Sequence, residues 1–122
     1  DFDGVMAFPK VYINGELAGE WDYGYNSFRI DATDFVDWGE KNLIAVHVDT
    51  RQWGSRWYPG AGIYRKVGMV VTGDIHLGQW GIRVEAKPGE NGPAQTRIRT
   101  FVENHAGVAA DVTVRPEIVD PS

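Results

Sequence analysis

Residues 51–65 hold the side chains best suited to chemistry in this chain of 122 residues. The segment contains two tryptophans, two tyrosines, three arginines and three glycines. A flat aromatic ring can stack on the C–H face of a sugar, and a guanidinium group donates paired hydrogen bonds. The glycines let the backbone turn sharply and approach a ligand closely. The pattern therefore indicates sugar binding, and an aromatic cluster that only covers the end of a sheet is the alternative.

Composition excludes several classes of partner. The net charge is −5, and a nucleic-acid surface needs a basic patch, so no nucleic-acid partner is expected. The apolar runs are much shorter than the ~20 residues that a membrane span requires, so no membrane partner is expected either. Cysteine is absent, which excludes a disulfide framework and zinc–thiolate sites but leaves the redox compartment undecided. Localisation stays open between the cytoplasm and a secreted or periplasmic site.

The histidines and glycines do not predict a metal or a cofactor. His47 and Asp49 are two residues apart on one predicted strand and could face the same side. A metal site needs three or four ligands, and His76 and His105 lie on other segments. Residues 60–62 resemble the start of a dinucleotide-binding loop but lack its strand–turn–helix context. We therefore expect no metal site and no cofactor, with His47 as a packed, hydrogen-bonded imidazole.

Apolar residues alternate with polar ones along nearly the whole chain, which predicts an all-β fold, an antiparallel β-sandwich. Asn14-Gly15 lies between two such runs and predicts a type I′ hairpin turn. Residues 31–39 are the one place for a helical turn, with Asp31 or Thr33 as its cap. The strand at 42–49 is apolar on both faces, which predicts a central position between two layers.

The pattern of apolar and polar residues changes near residues 72–75. We place a domain boundary there, between segments 1–72 and 73–122. The second segment carries three or four predicted strands, including residues 112–118. That is about half of an immunoglobulin-like sandwich, so we expect further sequence beyond residue 122. Trp80, just past the boundary, is predicted to make a contact between the two domains.

Several motifs together resemble glycoside hydrolase family 2. They are residues 2–6 (Phe-Asp-Gly-Val-Met), 11–15 (Val-Tyr-Ile-Asn-Gly), 42–46 (Asn-Leu-Ile-Ala-Val) and, above all, 56–67 (Arg-Trp-Tyr-Pro-Gly-Ala-Gly-Ile-Tyr-Arg-Lys-Val). The similarity is greatest to the β-galactosidase branch of the family. It implies that residues 1–72 are the C-terminal part of a jelly-roll, galactose-binding-like domain, and that residues 73–122 begin an immunoglobulin-like domain.

The resemblance also implies where the chemistry lies. In this family, two catalytic glutamates of a retaining glycosidase lie in a TIM barrel, whose motifs are absent here. No catalytic residue is therefore expected in this chain, which should be inactive by itself. The family's first domain sends a loop, here residues 49–62, towards the sugar pocket. Some members carry an Asp in that loop where this sequence has Ser55 and Arg56. The substrate-binding candidates are Arg56 and Trp57, followed by Tyr58 and Asp49.

Three functions follow as hypotheses. In the first, the chain scaffolds a catalytic barrel and lines its pocket for a β-galactoside-type carbohydrate. The second is a free-standing carbohydrate-binding module that stacks sugars on Trp53, Trp57 and Tyr58. The third is an interaction module that forms homo-oligomers through an open sheet edge. The sequence does not distinguish galactoside, glucuronide and mannoside specificity.

Overall fold

The computed structural model describes residues 1–50, 60–89 and 92–120. The chain divides into two compact units, Asp1–Val70 and Val71–Ser122. Seven strands are present, all pairing antiparallel, and no helix occurs in the described ranges, which confirms the all-β prediction. Accordingly, the described part of the chain has no helix long and apolar enough to cross a membrane.

The first unit contains five of the strands in two small sheets. A three-stranded sheet has the order β3-β2-β4, and a two-stranded sheet joins β1 to β5. Their bounds are Val5–Met6 for β1, Lys10–Ile13 for β2, Glu16–Glu20 for β3, Ile44–His47 for β4 and Gly62–Ile63 for β5.

The hairpin between β2 and β3 turns at Asn14-Gly15, as the sequence predicts. Both residues have positive φ, 52° and 91°, which is the backbone that a type I′ turn needs. The Asn14 side chain also donates to Asn42 Oδ1 at 2.8 Å and accepts from the Leu43 N–H at 3.0 Å. The turn residue therefore fixes the hairpin to the start of β4.

A small apolar core lies under the first unit. Its fully or nearly buried hydrophobic residues are Phe2, Val5, Val11, Ile13 and Phe28. The rings of Phe2 and Phe28 stack with centroids 5.0 Å apart, and the backbones of the two residues exchange hydrogen bonds of 2.8 and 2.9 Å. The Asp1 carboxylate accepts two hydrogen bonds from Arg29, at 2.6 and 2.8 Å. Burial of the Asp1 amino group lowers its pKa, and the nearby guanidinium lowers it further.

Residues 31–39 form turns and not a helical segment. Asp31 Oδ1 accepts from the Thr33 N–H at 3.0 Å, as a capping side chain does, and the Phe35 N–H donates to Ala32 O at 3.0 Å. The predicted capping hydrogen bond is present, but the helical turn does not continue. The Asp37 N–H donates to Asn42 Oδ1 at 2.7 Å instead of to a backbone carbonyl one turn earlier. The prediction of a capped turn is confirmed, and no helix propagates from it.

The predicted central position of β4 is wrong for the part of the chain that the structure describes. β4 pairs with β2 and lies at the edge of the sheet order β3-β2-β4. Leu43 is 71% exposed and Ile44 is 50% exposed. Val46 and Val48 pack against the core of the first unit on one side, but the described residues do not cover the other face of the strand.

The second unit is one long hairpin of β6, Ile75–Lys87, and β7, Gln95–Asn104. The register shifts between Leu77 and Ile82, where β6 holds three more residues than the facing part of β7. Trp80 lies in this bulge with φ 49° and is 77% exposed. Its contact with the other domain stays a prediction. Residues 105–120 contain no strand, so the predicted strand at 112–118 is absent there, since no described strand pairs with it.

Candidate functional site

Most of the aromatic segment, residues 51–61, belongs to a connector between β4 and β5. The connector is defined here as residues 50–61. Its upstream stem ends at Asp49, whose N–H donates to Ala7 O at 2.9 Å. Its downstream stem begins at Gly62, which pairs with Met6 in the β1–β5 sheet. Met6 and Ala7 are consecutive residues, so the two ends of the connector are fixed side by side on one short segment. The residues that flank the connector on either side are therefore held close together by one short segment.

Tyr64 anchors the downstream stem. Its hydroxyl donates to Gly24 O at 2.8 Å, and its N–H donates to Gly4 O at 3.3 Å. The ring lies directly over Gly4, where an added Cβ would be only 2.6 Å from the ring atom Cζ. The Arg65 guanidinium lies 5.4 Å from the centroid of the same ring. Glycine at position 4 is therefore what allows the ring to lie flat beside β5.

Of the four predicted substrate-binding residues, only Asp49 is in the described part of the chain. It is half-buried just after β4, with its backbone held by Ala7. Arg56, Trp57 and Tyr58 lie outside the described residues, as does Trp53. Their roles in sugar binding therefore stay predictions.

A second aromatic region follows β3. Glu20, Trp21, Asp22 and Tyr23 line a shallow depression of about 360 Å³. One face of the Trp21 ring is stacked on Phe28, with centroids 5.8 Å apart, which fixes the ring in place. A fixed indole beside two carboxylates can stack on a sugar and accept hydrogen bonds from its hydroxyls. The sequence analysis did not select this region, although its Trp-Asp-Tyr run was the available signal.

The histidines are placed differently from the sequence expectation. His76 lies on β6 opposite Glu103 of β7, and His105 follows just beyond the strand. The rings of His76 and His105 stack with centroids 5.5 Å apart. The sequence analysis considered His76 and His105 only as residues on other segments than His47, and hairpin pairing brings these two together. His47 lies on β4 in the first unit.

The described strands all pair antiparallel, which places the chain in the class of all-β proteins. No family model matches the chain. It is 40% identical over 121 residues to the β-galactosidase BoGH2A of Bacteroides ovatus, covering 98% of the chain and 14% of that protein. A β-galactosidase of Thermoanaerobacter pseudethanolicus is 39% identical over 85 residues, covering 62% of the chain and 11% of the relative. Other relatives are named β-glucuronidases.

The solved structures agree. A crystal structure of a glycosyl hydrolase family 2 member from Bacteroides cellulosilyticus superposes with a TM-score of 0.77 at 32% identity. The match covers 88% of this chain and 15% of that one. The chain is therefore similar in sequence and in fold to one segment of glycoside hydrolase family 2 proteins. It spans about one seventh of the length of the relatives it matches, 14% for the Bacteroides ovatus protein.

Proposed function

We propose that this chain is a non-catalytic segment of a family 2 glycoside hydrolase, most similar to a β-galactosidase, that scaffolds the catalytic barrel and lines its sugar pocket. The observation that carries the proposal is the connector, whose two stems are both fixed on residues 6 and 7. Fixed ends restrict the space that a loop can reach, and positioning of substrate is worth a large part of an enzyme's rate.

The surface of the second unit supports a scaffolding role. Both strands of its hairpin expose large apolar side chains, for example Ile82 at 57%, Val84 at 59% and Phe101 at 62%. Ile82 and Val84 share one face of the hairpin and Phe101 lies on the other, so both faces offer apolar surface of the kind that further protein covers. We propose that the rest of the parent polypeptide, including its barrel domain, covers such surface.

Within the connector we assign Arg56 and Trp57 to the sugar. The Arg56 guanidinium would donate hydrogen bonds to hydroxyl oxygens, where an Asp of some family members would accept them. Trp57 would stack on the ring, and Tyr58 and Asp49 would complete the wall. Chemistry would come from two carboxylates of the barrel, which stand ~5–5.5 Å apart in a retaining glycosidase.

The test compares Arg56→Ala with Arg83→Ala in the full polypeptide that carries this chain. Arg83 is exposed on β6 and serves as the matched control. Hydrogen bonds to a charged group contribute about 1.5–3 kcal/mol, so Arg56→Ala should lower kcat/KM by about 10- to 100-fold, mainly through KM. Aryl β-galactoside, β-glucuronide and β-mannoside are assayed in parallel to identify the specificity. Equal kinetics for the two variants would remove Arg56 from the pocket.

A second candidate function is a free-standing sugar-binding module, and the Trp21 and Tyr23 depression favours it. Calorimetry of the 122-residue chain with galactosides separates the two functions. The scaffold proposal expects no saturable binding, because most of its pocket lies elsewhere. Saturable heat that Trp21→Ala abolishes would favour the module.

Self-association is a third possibility. β4 is an edge strand of its sheet, and an open edge can pair with a second copy of the chain. Sedimentation velocity of the full polypeptide and of the 122-residue chain answers it. Association confined to the short chain would show that the edge is covered within the full polypeptide.

A further inference from the structure

We propose that His76, Glu103 and His105 form a metal site that binds Zn²⁺. Nothing in the family resemblance or in the relatives' names points to it, and the inference is independent of the sugar-binding proposal. The three side chains offer one ligand atom each, and these atoms all lie within 4.8 Å of one another. Two imidazoles and a carboxylate are a ligand set that zinc takes in proteins, with a fourth position open to water.

The distances match those of a zinc coordination sphere. His76 Nε2 is 3.5 Å from Glu103 Oε2, and His105 Nε2 is 3.3 Å from the same oxygen. Ligand atoms ~2.0–2.2 Å from a tetrahedral zinc are ~3.4 Å from each other. Two of the three ligand-atom pairs therefore have the spacing that zinc requires, and the third pair lies within 4.8 Å.

The tautomer of His76 is fixed in the form that a metal needs. His76 Nδ1 lies 2.9 Å from Gly73 O, and a carbonyl oxygen can only accept, so Nδ1 carries a proton. In this tautomer of the neutral ring the lone pair is on Nε2, which faces the Glu103 carboxylate and is the atom that a metal would bind. A histidine N–H donating to a backbone carbonyl is also the usual outer support of a metal-binding imidazole.

The Glu103 carboxylate occupies the space beside Gly78. A Cβ placed on Gly78 would be 2.6 Å from Glu103 Oε1, so the absence of a side chain there gives the carboxylate its place. The His105 N–H donates to Asp74 O at 2.9 Å, which fixes the residue beyond the end of β7. The site is open to solvent, with the His76 side chain 22% exposed and Glu103 49% exposed. A metal ion could therefore enter without opening the fold.

The experiment uses the full polypeptide that carries this chain, without an affinity tag, stripped of metal with EDTA and titrated with ZnCl₂ against a chromophoric zinc indicator. His76→Ala and His105→Ala should each abolish one equivalent of zinc. The affinity loss should exceed the ~10- to 100-fold that removal of an outer-shell partner costs. His47→Ala is the matched control, because His47 is the remaining histidine of the chain, and it should keep that equivalent.

Gly78→Ala provides a second test that does not remove a ligand. The clash falls on the far end of a flexible side chain, so the hairpin should keep its circular dichroism spectrum and its unfolding midpoint. The displaced carboxylate should weaken zinc binding ~10- to 100-fold.

Two results would overturn the proposal. One is an unchanged zinc stoichiometry and affinity in both histidine variants, which would show that zinc binds elsewhere and not at this cluster. The other is a folded Gly78→Ala protein that binds zinc as tightly as the parent. Because the readout is zinc bound and not sugar hydrolysed, failure here leaves the proposed glycosidase role untouched.

Discussion

Gly4→Ala should loosen the downstream stem of the connector. The added methyl group would be 2.6 Å from Tyr64 Cζ, 2.8 Å from its hydroxyl oxygen and 3.0 Å from Cε1. Carbon atoms in contact are normally ~3.5–4.0 Å apart, so the ring must retreat by about 1 Å. A retreat of that size breaks the 2.8 Å hydrogen bond from the Tyr64 hydroxyl to Gly24 O.

The cost follows from these two effects. Overpacking costs about 1–3 kcal/mol, and the lost hydrogen bond costs about 0.5–1.5 kcal/mol. Gly4→Ala should therefore lower the free energy of unfolding of the first unit by about 2–4 kcal/mol. In the full polypeptide, the same substitution should raise KM for the aryl glycoside. The reason is that Tyr64 anchors the downstream end of the connector, so a shift of Tyr64 displaces that end.

Urea unfolding of the 122-residue chain, followed by tryptophan fluorescence in a Trp80→Phe background, measures this loss in the free energy of unfolding. In that background every remaining tryptophan lies in the first unit, so the transition reports Asp1–Val70. A double-mutant cycle with Tyr64→Ala isolates the contact. Once the ring is gone, Gly4→Ala should cost no more than about 0.5 kcal/mol. Equal costs in the two backgrounds would refute the argument, since independent sites add and contacting sites do not.

Two other substitutions test what holds the first unit. Phe28→Ala should cost about 3–5 kcal/mol by opening the core beside Phe2, and Phe28→Leu should cost clearly less. Asn42→Ala should cost about 2–4 kcal/mol in urea unfolding, because the Asn42 side chain accepts two hydrogen bonds and donates two across the turns before β4. Its neighbour Lys41→Ala is the control, and a loss for Asn42→Ala no larger than the control's would show that water replaces those bonds.

Local features of the fold were predictable from the sequence because their causes are local. The Asn14-Gly15 turn follows from which residues accept positive φ, and alternation along β2 follows from a two-sided sheet. The Asp31 cap follows from a short carboxylate that reaches the N–H two residues on. Each of these needs only a few consecutive residues, so each could be predicted without the rest of the chain.

Positions that depend on distant partners could not be predicted in the same way. The apolar residues on both faces of β4 indicate that both faces are suited to burial. They do not indicate which segment of the protein covers each face. In the described residues β4 has one neighbour, and only one of its faces packs against the core. The connector shows the same division, since its composition indicates sugar binding but the closeness of its stems follows from the pairing of β1 with β5.

The zinc cluster depends on the register of one hairpin, and this leads to a last prediction. β6 advances five residues from Leu77 to Ile82 while β7 retreats two, from Val102 to Thr100. If the ladder beyond Ile82 simply continued, His76 would face Ala106, and a three-residue bulge is what places Glu103 opposite it. The spacing of residues in the sequence does not reveal this shift in register. For that reason the sequence did not predict that the histidines form a site.

Deletion of residues 79–81 should therefore straighten β6 and keep both registers. The deletion removes the three residues that have no partner on β7, including the exposed Trp80, so the hairpin should stay folded by circular dichroism and keep its zinc equivalent. Gly81→Val should have the opposite effect. A side chain at Gly81 would be 2.6 Å from Gly78 O and 3.0 Å from Phe101 O, so the bulge cannot close and the register beyond it is lost with the metal. A folded deletion variant that fails to bind zinc would show that the bulge itself, and not the pairing of His76 with Glu103, makes the site.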